Sequence, residues 1–164
     1  MMEMSELPTG LLLARGSRQE VREGLPEDAS TVLRFLRGGK MRTAQQAMDE
    51  FAAALQFPWY YGDNLDAFWE CLRDLDWLRP FSRIVLVIFD APLLLADETP
   101  HWTRTFTGLL MKAREAWLDA SLRGERQYLE PIPFTIIFQM PTQGYAPADL
   151  DHLGIAHFED FVLP

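Results

Sequence analysis

The apolar positions of this chain switch repeatedly between two spacings. At 31–36, TVLRFL alternates and opens on β-branched residues, which predicts a strand, and RGGK at 37–40 breaks it. From 44 to 55 the spacing changes. Ala44, Ala47, Met48, Phe51 and Leu55 recur at helical intervals, so a helix is predicted with Thr43 as its cap and Pro58 as its stop. Leu65, Phe68, Leu72 and Leu75 mark the buried face of a second helix. Gly62 allows the tight reversal before it, and Asp63 or Asn64 can cap it. RIVLVIFD at 83–90 and PFTIIFQM at 133–140 are near-continuous apolar runs, as expected of strands buried on both faces. Between them, 102–118 reads as a third helix with Trp102, Phe106, Leu109, Leu110, Ala113 and Trp117 on its core side.

The order is therefore β, α, α, β, α, β. Strands separated by helices pair in parallel, joined by right-handed crossovers, which predicts an α/β layer fold. Residues 1–30, punctuated by Pro8, Gly10, Gly16, Gly24 and Pro26, read as an irregular N-terminal extension outside the core. Residues 141–164, with Pro141, Gly144 and Pro147, read as a C-terminal extension packing on the 31–140 domain.

Charge narrows the partners. Across 164 residues, 24 carboxylates outweigh 15 basic side chains, for a net charge of −9. Such a surface repels nucleic acid and anionic lipid and steers basic proteins towards it. The single cysteine, Cys71, permits no internal disulfide and suits a reducing cytoplasm. Glu3 and Glu6 stand where a signal peptide wants positive charge, and IVLVIF at 84–89 is too short to span a bilayer. A soluble, cytoplasmic protein is expected.

Candidate chemistry concentrates in FPWYYGDNLDAFWECL, residues 57–72. At about 100° per residue, Leu65, Phe68, Cys71 and Leu72 fall on one side of the second helix, with Asp66, Glu70, Arg73 and Asp74 on the other. Trp69 sits at the boundary. Asp66 and Glu70 are four apart and repel mildly, while the helix N-terminus favours the Asp66 carboxylate. Carboxylates flanked by Tyr60, Tyr61 and Trp69 have the composition of an interface anchor rather than of an ordinary solvated face.

This run resembles the barstar family, the small intracellular inhibitors of secreted ribonucleases. Pro58, YYG at 60–62, NLDA at 64–67, Trp69 and CL at 71–72 carry the resemblance, which extends over roughly 31–140. It implies a barstar-like α/β fold, a small three-stranded parallel sheet packed against helices. It further implies that the second helix and the turn before it block the active site of a basic ribonuclease or related toxin. By position, Tyr60, Asn64, Asp66, Trp69 and Glu70 match family contact residues. Glu115, in AREA on the third helix, matches another, and Tyr61 completes the aromatic frame. Two departures stand out. Glu70 replaces the family's aspartate and moves the carboxylate by ~1.5 Å, a distance that a tight pocket registers. Arg73 places a cation one turn further on. Connections at about 91–101 and 120–132 are also longer than the family's. The alternative is a non-inhibitory interaction module on the same scaffold with a different partner.

Nothing else in the chain suggests chemistry. Cys71 lies on the apolar side of an acidic helix, the wrong setting for a nucleophilic thiolate. His152 and His157 lack the spacing of a zinc site, and no phosphate-binding glycine loop is present. No metal, cofactor or enzymatic activity is expected.

Overall fold

The computed structural model describes residues 2–119 and 130–164. The strands and α-helices among the described residues are β1 (Gly10–Arg15), α1 (Arg18–Gly24), β2 (Thr31–Arg37), α2 (Ala44–Ala54), α3 (Leu65–Asp74), β3 (Arg83–Phe89), α4 (Pro100–Leu118), β4 (Phe134–Met140) and β5 (Glu159–Phe161), with short 3-10 turns between several of them. The predicted strands and helices from residue 31 onward appear within a few residues of their expected bounds. The long connection expected at 120–132 falls mostly outside the described residues.

The sheet has five strands, in the order β2-β3-β4-β1-β5, and every pairing is parallel. The three-stranded sheet expected from the resemblance is the β2-β3-β4 part of it. Residues 10–15 are not irregular. They form β1, in register with β4 from Gly10↔Thr135 to Arg15↔Met140, and β5 pairs on the far side. GLLLAR is too short and too uniformly apolar to announce a strand by alternation. Its conformation follows from a partner about 125 residues away in sequence, since β4 would otherwise leave an unpaired edge.

Side chains alternate across the sheet, and each face builds its own core. One face carries Leu11, Leu13, Val32, Leu36, Ile84, Leu86, Ile88, Ile136 and Phe138 against α2, α3 and α4. The opposite face carries Leu12, Ala14, Val85, Val87 and Ile137 against Met4 and Leu7 of the N-terminal segment and Val21 and Leu25 around α1. A capping box starts α1: the Ser17 hydroxyl accepts from Glu20 N at 3.1 Å, and Ser17 N donates to the Glu20 carboxylate at 2.6 Å.

Gln139 ties the added strand to the rest. It is fully buried near the end of β4. Its Nε2 donates to Gly16 O at 2.7 Å, and its Oε1 accepts from Asp90 N at 2.7 Å. One amide thus joins the ends of β1 and β3.

The three helices on the first face lock together through rings. Phe51 of α2, Phe68 of α3 and Phe106 of α4 meet with centroids 5.5–5.8 Å apart. Trp117 Nε1 donates to Leu72 O at 3.0 Å, so α4 also holds the end of α3. Along α4 the buried stripe runs through Thr103, Phe106, Leu110, Ala113 and Trp117. Trp102, expected on the core side, is instead 46% exposed. It lies roughly 70° from the centre of that stripe at about 100° per residue, in the first turn, beside His101. Among the described residues, no helix is long and apolar enough to cross a membrane.

Candidate protein-binding face

The segment before α3 is a strapped turn. Residue Gln56, with φ of 53°, reverses the chain after α2 ahead of Pro58, so the helix has already ended when the proline is reached. Tyr61 N donates to Pro58 O at 2.9 Å. Asp63 adopts φ of 50° and accepts from Gln45 Nε2 of α2 at 2.9 Å. Asn64, rather than Asp63, caps α3: its Oδ1 accepts from Ala67 N at 2.9 Å, and its Nδ2 donates to Gly62 O at 3.2 Å. Both ends of the Asn64 amide are used, so its work is to hold the turn and start the helix.

The candidate residues then divide by direction. Phe68, Cys71 and Leu72 are buried against the core, as the spacing predicted. Tyr61 turns inward and packs edge-on to Phe57 at 5.1 Å. Its hydroxyl is buried without a hydrogen bond, and burial, with Asp63 and Asp49 adding repulsion, pushes its pKa up to about 12. Tyr61 therefore supports the turn, while Tyr60 stands out from it, 60% exposed. Burial likewise raises the Cys71 thiol to about 11, with Asp74 and Glu70 adding to the shift, which keeps it protonated and unreactive.

Asp66 is exposed in the first turn of α3, and no hydrogen bond or ion pair engages it among the described residues. Glu70 is exposed one turn on, but it is paired. Arg73 Nη2 donates to Glu70 Oε1 at 2.6 Å, and the Arg73 guanidinium lies 5.5 Å from the Trp69 ring centre. Trp69 itself is half-buried. Glu115 is exposed on α4, which packs against α3, without a bond to the other candidates.

The fold thus brings Tyr60, Asp66, Trp69 and Glu70 onto the turn and outer surface of α3. Two residues outside the candidate set belong with them. Trp59 is 95% exposed, set at 5.9 Å from the Tyr60 ring. Its place after Pro58 and before two tyrosines hinted at this, but which of three consecutive aromatics faces outward depends on the turn geometry. Arg73 was legible as a nearby cation, and the structure makes it a partner of Glu70. Among the described residues, no cluster of three or more histidine, cysteine or acidic side chains is arranged to hold a metal.

These features define a class: an α/β domain with an exposed acidic helix, capped at its start and framed by aromatic rings. The chain belongs to the barstar family, since the family model described as Barstar (barnase inhibitor) matches residues 31–139. No curated protein matches the chain. Among solved structures, the Aeropyrum pernix ORC2 protein in ADPNP-ADP complexes aligns at a TM-score of 0.52 and 9% identity, covering 94% of this chain and 41% of that one. Cdc6p from Pyrobaculum aerophilum aligns at a TM-score of 0.48 and 16% identity, covering 92% of this chain and 38% of that one. Drosophila ORC bound to AT-rich DNA and Cdc6 aligns at 0.48 and 8%, covering 93% and 48%. This chain spans less than half the length of each of these three, and at 9% identity the likeness to the Aeropyrum pernix protein concerns the fold alone.

Proposed function

We propose that this protein is a barstar-like inhibitor that docks α3 and the turn before it into the active site of a basic ribonuclease or related toxin. It performs no chemistry of its own. The observation that carries this reading is Asp66: an exposed, unpaired carboxylate on a helix whose start and turn are held by hydrogen bonds, flanked by Tyr60 and Trp69. A site that binds phosphate with arginine, lysine and histidine accepts a carboxylate by the same charge-assisted hydrogen bonds. Holding the carboxylate in place beforehand limits the ordering cost of association. The net charge of −9 speeds encounter with a cationic partner, so association should slow as salt rises.

The test is titration of barnase and other basic ribonucleases, following RNA hydrolysis and heat of binding. Stoichiometric inhibition is expected, and Asp66→Ala and Glu70→Ala should each weaken binding by about 2 kcal/mol while the fold stays intact. Unchanged affinity in both variants would reject the role given to α3.

One observation favours a second reading, an interaction module with a non-nuclease partner. Arg73 already compensates Glu70 and adds a cation to the docking face. A uniformly basic cleft is repelled by that cation, whereas a partner with mixed charge is not. Arg73→Ala separates the two: it should tighten binding to a ribonuclease and loosen binding to a mixed-charge partner.

A further inference from the structure

The turn before α3 carries two rings at its tip. Tyr61 N donates to Pro58 O at 2.9 Å, which closes a turn with Trp59 and Tyr60 at its centre. Such central positions ordinarily go to glycine, asparagine, aspartate or serine. Here Trp59 is 95% exposed and Tyr60 60% exposed, with ring centroids 5.9 Å apart and planes at 81°. The two rings stand as the walls of a corner, while Tyr61, the next residue, turns inward onto Phe57. An indole left in water forgoes the burial that usually stabilises it.

The charge around this corner is negative. Gln45 Nε2 of α2 donates to Asp49 at 3.1 Å and to Asp63 at 2.9 Å, which holds both carboxylates beside the turn. Both lie near enough to Tyr61 to oppose its ionisation. Asp66 follows in the first turn of α3. Among the described residues, Asp49, Asp63 and Asp66 take part in no ion pair.

Several other rings of this chain are covered by its own guanidiniums. Arg22 lies 5.6 Å from the Phe35 ring centre, Arg18 lies 5.7 Å from that of Phe89, and Arg73 lies 5.5 Å from that of Trp69. No arginine or lysine of the described residues lies over Trp59 or Tyr60. An indole attracts a cation more strongly than the other aromatic side chains do, and the unpaired carboxylates beside it add to the pull. Nucleic-acid bases stack on such rings, but those carboxylates repel the phosphates, and a second copy of this chain, itself at −9, is repelled as well. A guanidinium suits the corner better than an ammonium does, since it is planar, stacks on a ring and is more weakly hydrated.

We propose that Trp59 and Tyr60 form a receptor for an arginine side chain of the partner protein, its guanidinium stacking on the indole while the carboxylates around the turn supply the counter-charge. This rests on the reading of the turn and α3 as a protein-binding face, and not on the partner being a nuclease. It makes Trp59 a selectivity residue: a partner with arginine opposite the turn is favoured over one with lysine there. Trp69 does not duplicate this role, because Arg73 already lies over its ring.

The experiment is NMR titration of the full, ¹⁵N-labelled protein at low salt with a capped tetra-arginine peptide and with its tetra-lysine counterpart, which carries the same charge. Saturable binding of the arginine peptide on the order of 1 mM is expected, with shifts centred on the Trp59 indole N–H and the backbone amides around it. The lysine peptide should bind severalfold more weakly. Trp59→Leu keeps an apolar side chain but removes the aromatic face, and should weaken arginine binding about threefold and erase the preference over lysine. Trp59→Phe should restore part of both. Equal affinity for the two peptides, an affinity undiminished by Trp59→Leu, shifts confined to other parts of the surface, or no binding at about ten times that concentration would each overturn the proposal. The inhibitory reading fails by a different result, an undiminished hold of Asp66→Ala on a ribonuclease, and the peptide titration involves no nuclease.

Discussion

Replacing Gln139 by leucine tests whether β1 is integral to the domain or merely laid against it. The side chain is fully buried and supplies two hydrogen bonds at 2.7 Å, to Gly16 O at the end of β1 and from Asp90 N at the end of β3. Leucine has similar bulk and fills the space, but it leaves an N–H and a carbonyl without partners. Each orphaned backbone group costs about 1–3 kcal/mol. Burying a more apolar side chain returns ~1 kcal/mol. The net loss should be about 1–5 kcal/mol, or roughly 2–20 °C in Tm for a chain of this length. Urea unfolding followed by tryptophan fluorescence measures it, with the slope of the transition reporting cooperativity. A loss below about 1 kcal/mol would refute the reasoning. So would a first transition that frees β1 while the rest stays folded, since the link across the sheet would then be dispensable.

Two further expectations concern titration and reactivity. Glu50 is held below its ordinary 4.5 chiefly by the Arg37 side-chain hydrogen bond, and Glu98 chiefly by the Ala44 N–H at the start of α2. Their folded values lie below the unfolded ones, so their contribution is present above about pH 4.5 and is lost as acid protonates the folded carboxylates. Stability should therefore fall from about pH 5 towards pH 3, and Glu50→Gln/Glu98→Gln should flatten that slope in thermal melts; an unchanged slope would contradict it. The buried Cys71 thiol, raised to about 11, should react with a thiol reagent at about pH 8 only after denaturant is added; prompt reaction of the native protein would contradict its burial.

Much of the architecture was readable from residue spacing alone. Helical and strand periodicities each report which side of one element faces away from water, so they located α2, α3, α4 and the strands β2, β3 and β4. The unusual run at 57–72 was equally local: its aromatic and acidic residues, the Asn64 cap and the buried stripe through Phe68 and Leu72 all lie within five helical turns. That density is why the family could be named before any fold was known.

Other features depended on partners distant in the chain. β1 is a strand because β4 offers it an edge, and Gln139 is buried because Gly16 and Asp90 meet it there. Spacing could not decide that Tyr61 turns inward while Trp59 and Tyr60 turn outward, since this follows from how Pro58, Asp63 and Gln45 pin the turn against α2. The half-burial of Leu33 and Phe35 likewise depends on the N-terminal segment and α1 reaching that face of the sheet, with Arg22 over the Phe35 ring. Periodicity records how one segment meets solvent, and it carries no record of which other segment arrives to replace that solvent; only packing in three dimensions supplies it.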